Sequence, residues 1–196
     1  MDLFGPRTEL PDIDHRRGWL PQSEADALFG ALHEAIPWEV HRIRLFGRWV
    51  DSPRLSCWMG DEGAAYRYSG VRFEPRPWLP VLDEVRQRLE AACGASFNSV
   101  LANLYRDGRD AMGWHRDDEP ELGDMPLIAS LSLGATRRFL LKDVQGSRYP
   151  IDLANGDVLL MSGDSQRRYR HALPRTAKPV GARINLTFRY VQPQAS

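Results

Sequence analysis

Helical periodicity disappears from this chain after Phe97, and that change constrains its fold more than any other feature. From there on the sequence breaks into short apolar or alternating runs: SVLANLY, LIASLSL, RRFLLKDV, YPIDL, DVLLM and RINLTFRYV. Turn signals such as DG, NG, SGD and PVG separate them. Short strands with no helices between them pair with their near neighbours, which gives an antiparallel sandwich or barrel. Helical spacing is confined to the first half. Ala25, Leu28, Phe29, Leu32 and Ile36 repeat on one face until Pro37, with Ser23 as the expected N-cap and Asp26 three residues on. A second helix is expected from Pro80, with Leu82, Val85, Leu89 and Ala92 on one face and Gly94 as its stop. The resulting class is mainly β with flanking helices.

The 196 residues suit one domain. Residues 1–18 read as an irregular N-terminal arm, and residues 19–196 as a single domain. No internal repeat or linker divides it, and the aromatic, arginine-rich stretch from residue 38 to 73 reads as short strands and loops. Hydrophobic residues make up 42% and charged residues 27%, the balance of a soluble globular chain. No apolar run is long enough for a membrane span, so a cytoplasmic protein without a membrane partner is expected, with a monomer as the default. Cys57 and Cys93 form neither a CxxC pair nor a disulfide framework and read as packing thiols. The formal net charge of zero removes any global electrostatic case for a nucleic-acid partner. Local arginine clusters at positions 42–48, 67–76 and 167–175 can nevertheless follow a phosphate backbone.

Chemistry concentrates in three separated segments. His115 and Asp117 are two residues apart, so on extended backbone both point to one face. His171 on a distant strand completes two histidines and a carboxylate, the facial set that leaves coordination positions open on non-haem iron(II). A zinc hydrolase can use the same three residues with an activated water. What separates the readings is the last strand, where Arg183, Asn185, Thr187 and Arg189 share one face and apolar residues occupy the other. Two arginines with two neutral hydrogen-bonding groups make a cradle for a dicarboxylate, and a hydrolase has no use for one. Asn103 and Tyr105, again two apart, add neutral donors from the strand leading to His115.

The segments NLYRDGRDAMGWHRDDEPELGDMPLIASLSLG, RYRHALP and GARINLTFRYV, with FGRW, YRYSG and PRPWLPVL upstream, resemble the AlkB family of iron- and 2-oxoglutarate-dependent dealkylating dioxygenases. The resemblance covers most of the chain beyond the arm and is closest to the branch acting on alkylated DNA. It implies a double-stranded β-helix, or jelly-roll, with iron held by His115, Asp117 and His171. It also implies 2-oxoglutarate on Asn103, Tyr105, Arg183, Thr187 and Arg189, with Asn185 on the same cradle face. Arg189 is expected on the far carboxylate and Arg183 nearer the metal. The implied reaction uses Fe(II), 2-oxoglutarate and O2 on bases of the 1-methyladenine or 3-methylcytosine type in DNA. Its products are succinate, CO2, an aldehyde and the repaired base.

Substrate contacts are expected from a nucleotide-recognition region at about residues 38–76. There Phe46 matches an apolar finger, Arg48 can meet phosphate, and Tyr66 and Tyr68 can stack on a base. Asp118 and Glu119 can favour a cationic alkylated base. The alternatives are the same oxidation on RNA or on a protein methyl-lysine, or a non-catalytic jelly-roll binding module.

Overall fold

The computed structural model describes residues 10–45, 48–68 and 71–192. In chain order these form β1 (Ile13–Arg16), α1 (Gln22–Ala35), β2 (Arg42–Leu45), β3 (Arg48–Asp51), β4 (Leu55–Gly60), β5 (Tyr66–Tyr68), β6 (Val71–Phe73) and α2 (Pro80–Cys93). The strand-rich half follows with β7 (Ser99–Tyr105), β8 (Met112–His115), β9 (Ile128–Gly134), β10 (Arg137–Asp143), β11 (Arg148–Leu153) and β12 (Val158–Met161). It ends with α3 (Ser165–Arg168), β13 (Tyr169–Leu173) and β14 (Arg183–Arg189). A major sheet runs β1-β12-β9-β14-β7-β4 and a minor sheet β11-β10-β13-β8, with every pairing antiparallel. This is the expected jelly-roll. Two separate hairpins, β2-β3 and β5-β6, lie within the region expected to recognise nucleotides.

The major sheet is buried on both faces, for different reasons. Ile184, Leu186 and Phe188 of β14 are each fully buried in a core shared with Leu28 and Leu32 of α1 and Leu82 and Leu89 of α2. Burying each such side chain contributes about 1.5–3 kcal/mol. A second core, including Ile128, Phe139, Leu141, Leu159 and Leu173, lies between the two sheets. The polar residues of β14 alternate toward that interior, so a face that can resemble a wet outer surface in sequence lies inside the sandwich.

The helices begin and end largely where their punctuation dictates. Pro80 opens α2, and Gly94 closes it in the left-handed region at φ 65°, where a side chain would be strained. The expected Ser23 cap is corrected: α1 starts at Gln22, its N-cap is Pro21, and no side chain caps it. Asp26 instead accepts a hydrogen bond from Asn155.

The irregular arm is also corrected. Residues 1–9 lie outside the described residues, but Ile13–Arg16 adds an edge strand to the major sheet. Four residues are too few to show alternation over charged neighbours, and the anchor lies far away in sequence. His15 Nε2 meets Asp157 Oδ2 at 2.9 Å, and Asp157 also accepts from the Gly18 and Ala154 backbone N–H groups. Burial opposes ionisation of Asp157, yet these bonds hold its carboxyl below its ordinary value. Its stabilising contribution is therefore present above the unfolded carboxyl pKa and is lost as pH falls through the folded one. Asp157→Ala is expected to cost about 1–3 kcal/mol by urea unfolding at neutral pH, because it removes the partner of the buried His15 ring and of two backbone N–H groups. That cost should shrink in acid.

Candidate metal centre

His115 closes β8 and His171 sits within β13, and the two are directly paired across the minor sheet. Their ring centroids are 4.1 Å apart, and Phe139 stacks on the His171 ring at 5.4 Å. Asp117, two residues past His115, places Oδ1 3.7 Å from His115 Nε2 and 4.0 Å from His171 Nε2. The three ligand atoms all lie within 4.8 Å of one another, a spacing that one metal ion can bridge.

Protonation states suit this use. His115 Nδ1 lies 2.8 Å from the Gly113 carbonyl, which can only accept, so Nδ1 carries the proton and the Nε2 lone pair faces the cluster. Burial lowers the His115 pKa, and burial with the neighbouring His115 pushes His171 down to about 3. Both rings are thus neutral at pH 7. Burial works against a charged Asp117, but the Arg189 guanidinium, donating to Oδ2 at 2.8 Å, holds the carboxyl well below the usual carboxylate range. Two neutral imidazoles and one carboxylate are the forms a divalent cation requires.

The cavity beside this cluster is lined by Asn103, Tyr105, Ser130, Arg183, Asn185, Thr187 and Arg189, with Leu101, Met112, Phe139, Met161 and Leu173 as apolar walls. Pairing of β14 with β7 sets Arg183 opposite Tyr105 and Asn185 opposite Asn103. Arg183 is 1% exposed, donates to Ser132 Oγ at 2.8 Å and lies 5.4 Å from the Tyr105 ring. Its Nε and Nη1 are buried without a hydrogen-bond partner, and among the described residues it has no carboxylate within ion-pair distance. Burial pushes its pKa down to about 10, so it stays charged. A buried, charged, unsatisfied guanidinium is costly, and a carboxylate ligand relieves it. The residues present therefore fit both an iron(II) ion and a dicarboxylate.

The order of the two arginines is the reverse of the sequence expectation. Arg189 is ion-paired to Asp117 and so lies at the cluster, whereas Arg183 is at the Tyr105 end of the cavity. Alternation placed both on one face but could not say which end of β14 meets the loop carrying Asp117.

Other expected residues are more scattered. Asp118 is exposed and Glu119 half-buried, and neither is among the residues lining the cavity. Arg48 is exposed on β3, and Tyr66 and Tyr68 lie on β5. Phe46 lies outside the described residues. Sequence reasoning missed Arg54, which is 5% exposed and donates from Nε to Asn103 Oδ1 at 2.7 Å and from Nη1 to Ser52 Oγ at 3.0 Å. Nothing in SPRL marks its burial. It also missed Ser130 and Ser132, whose signal was present: in LIASLSL the serines alternate with apolar residues, as on β14.

Fold and cavity together define a jelly-roll protein of the non-haem oxygenase class, with a two-histidine, one-carboxylate cluster facing a cationic pocket. A family model described as the 2OG-Fe(II) oxygenase superfamily matches residues 12–189, and the chain belongs to that superfamily and, within it, to the AlkB family. It is 39% identical over 185 residues to the DNA oxidative demethylase ALKBH2 of Bos taurus, covering 88% of this chain and 66% of the relative. It is 40% identical over 187 residues to the alpha-ketoglutarate-dependent dioxygenase alkB homolog 3 of Rattus norvegicus, covering 90% and 63%. The chain thus spans about two thirds of the length of these relatives. The solved structure of OsALKBH1 shares the fold at a TM-score of 0.68 and 19% identity, over 94% of this chain and 100% of that one.

Arg189→Met tests the ion pair. Removing one member of a buried pair leaves the other charge uncompensated, so the metal-free variant is expected to lose about 3–5 kcal/mol at neutral pH. The depressed folded pKa of Asp117 keeps the parent's pair intact at both pH 7 and pH 4, whereas in the variant burial without the guanidinium raises the carboxyl pKa, so its stranded charge takes up a proton and the penalty falls away as pH drops. Urea unfolding at pH 7 and pH 4 should show the gap between parent and variant narrowing in acid.

Proposed function

We propose that this protein oxidatively dealkylates N-alkylated bases in DNA, of the 1-methyladenine or 3-methylcytosine type, with Fe(II), 2-oxoglutarate and O2. The observation that carries this reading is a buried guanidinium without an acid partner, Arg183, in the same cavity as a complete His115, Asp117 and His171 set. A zinc hydrolase supplies no partner for Arg183. Relatives named DNA oxidative demethylases, matched over most of this chain, support DNA as the substrate.

His115, Asp117 and His171 would hold the iron, and Arg183 would grip a carboxylate of 2-oxoglutarate with Tyr105 beside it. Asn103, Asn185 and Thr187 line the same slot, and Arg189 keeps Asp117 ionised. When bound, iron and 2-oxoglutarate supply the oxidation: one oxygen atom enters an alkyl C–H bond, while the other accompanies conversion of the cosubstrate to succinate and CO2. A hydroxylated N-alkyl group then breaks its carbon–nitrogen bond and leaves as an aldehyde. Leu101, Met112, Phe139 and Leu173 keep water from the reacting centre.

A paired base cannot reach this cavity inside a duplex, and a damaged base leaves the stack at a lower cost, on the order of a few kcal/mol. The hairpins β2-β3 and β5-β6 are the elements proposed to receive it. Arg48 would meet phosphate, Tyr66 and Tyr68 would stack on the base, and Phe46 would fill the vacated position. Asp118 and Glu119 would give a cationic base an acidic approach. A cytoplasmic, monomeric, single-domain enzyme is part of the same proposal, and among the described residues no helix is long and apolar enough to cross a membrane.

The test offers single- and double-stranded DNA, RNA and a methyl-lysine peptide, each alkylated, with and without 2-oxoglutarate. Repair of the DNA with stoichiometric succinate is expected. His171→Ala should lower it by at least about 100-fold, beyond what losing an outer-shell partner costs. Arg183→Gln should raise the KM for 2-oxoglutarate by about 30-fold or more, as for truncating one member of a buried charge pair. Succinate formation that continues while every DNA substrate stays unrepaired would reassign the substrate.

A further inference from the structure

We infer that Gln166 is a positioning residue for the metal-binding carboxylate, a role that rests on the reading of Asp117 as a metal ligand. Asp117 lies beyond the end of β8, and the β8-β13 pairing carries no ladder contact past His115 and His171 in that direction. Its backbone N–H is instead taken by a side chain. Gln166 Oε1 accepts from Asp117 N at 3.0 Å, between groups 49 residues apart, and both residues are buried, at 4% and 3% exposure.

The amide is held in one orientation. With Oε1 committed to the Asp117 N–H, Nε2 faces the Met161 sulfur at 3.7 Å and Ser165 Oγ at 3.3 Å, so a flipped amide would set a donor against a donor. Gln166 belongs to α3, which leads directly into β13 and reaches His171 five residues on. One side chain therefore ties the segment carrying the second histidine to the loop carrying the carboxylate, where the sheet provides no link. Arg189 holds the same aspartate by its carboxylate. Asp117 is thus fixed at two points, and Gln166 supplies the one that sets where its backbone lies. Partners of this kind govern ligand orientation and metal affinity.

Mn(II) binding to the metal-free protein, followed by the loss of the free-ion EPR signal, separates this role from simple packing. Three variants are compared with the parent: Gln166→Met, of similar volume without an acceptor; Gln166→Asn, one methylene too short; and Gln166→Glu, which keeps the acceptor. The Met and Asn variants are expected to bind Mn(II) about 10- to 100-fold more weakly, with Glu within about threefold of the parent. Thermal melts of the metal-free proteins show which variants fold, and Gln166→Asn carries the test if Gln166→Met does not. A folded Met or Asn variant that binds Mn(II) within threefold of the parent overturns the inference. If the parent itself does not bind Mn(II), or if Asp117→Ala binds as tightly as the parent, the metal-ligand reading fails instead.

Discussion

Asp117 and Arg189 meet at 2.8 Å in the interior of the sandwich, and the site depends on that contact. A lone carboxylate at 3% exposure would take up a proton rather than remain charged. The guanidinium reverses this, so an ionised oxygen donor stands beside two imidazoles that burial keeps neutral. Their ionisation states are set in opposite ways: the rings chiefly by desolvation, with cationic neighbours acting in the same direction, the carboxylate by a partner strong enough to overcome it. Together they give three donors of the correct form in the buried interior of the sandwich.

The same principle extends along β14. Ser132 accepts one hydrogen bond from Arg183, and Ser130 accepts one from Asn185, so the inward polar row is partly satisfied by its neighbours on β9. What is left over at Arg183 faces the cavity. The opposite face of the strand, with Ile184, Leu186 and Phe188 against both helices, supplies the apolar burial that lets the sheet carry such a row. In this fold the larger apolar core lies on the helix side of the major sheet, and the polar chemistry is collected between the sheets beside the smaller one.

Much of this could be read before any coordinates. The period-two alternation of RINLTFR fixed its strand and faces, Pro80 and Gly94 fixed the second helix, and HxD spacing put His115 and Asp117 on one side. Where reading failed, the cause was a partner distant in sequence. β1 depends on His15 reaching Asp157, Arg54 is buried by Asn103, and Gln166 acquires its role from Asp117. Each of these is a polar residue whose own surroundings in the sequence look solvent-exposed.

The sequence by itself determined the strand-rich second half, the two buttressing helices, the ligand types and the presence of two arginines on one strand face, because these follow from local periodicity and residue chemistry. The tertiary structure alone decided which arginine meets the carboxylate, which end of the cavity keeps an unsatisfied guanidinium, and which side chains brace the cluster. Those outcomes depend on register between strands far apart in the chain, and a pattern of near neighbours carries no information about which distant groups will share a buried space.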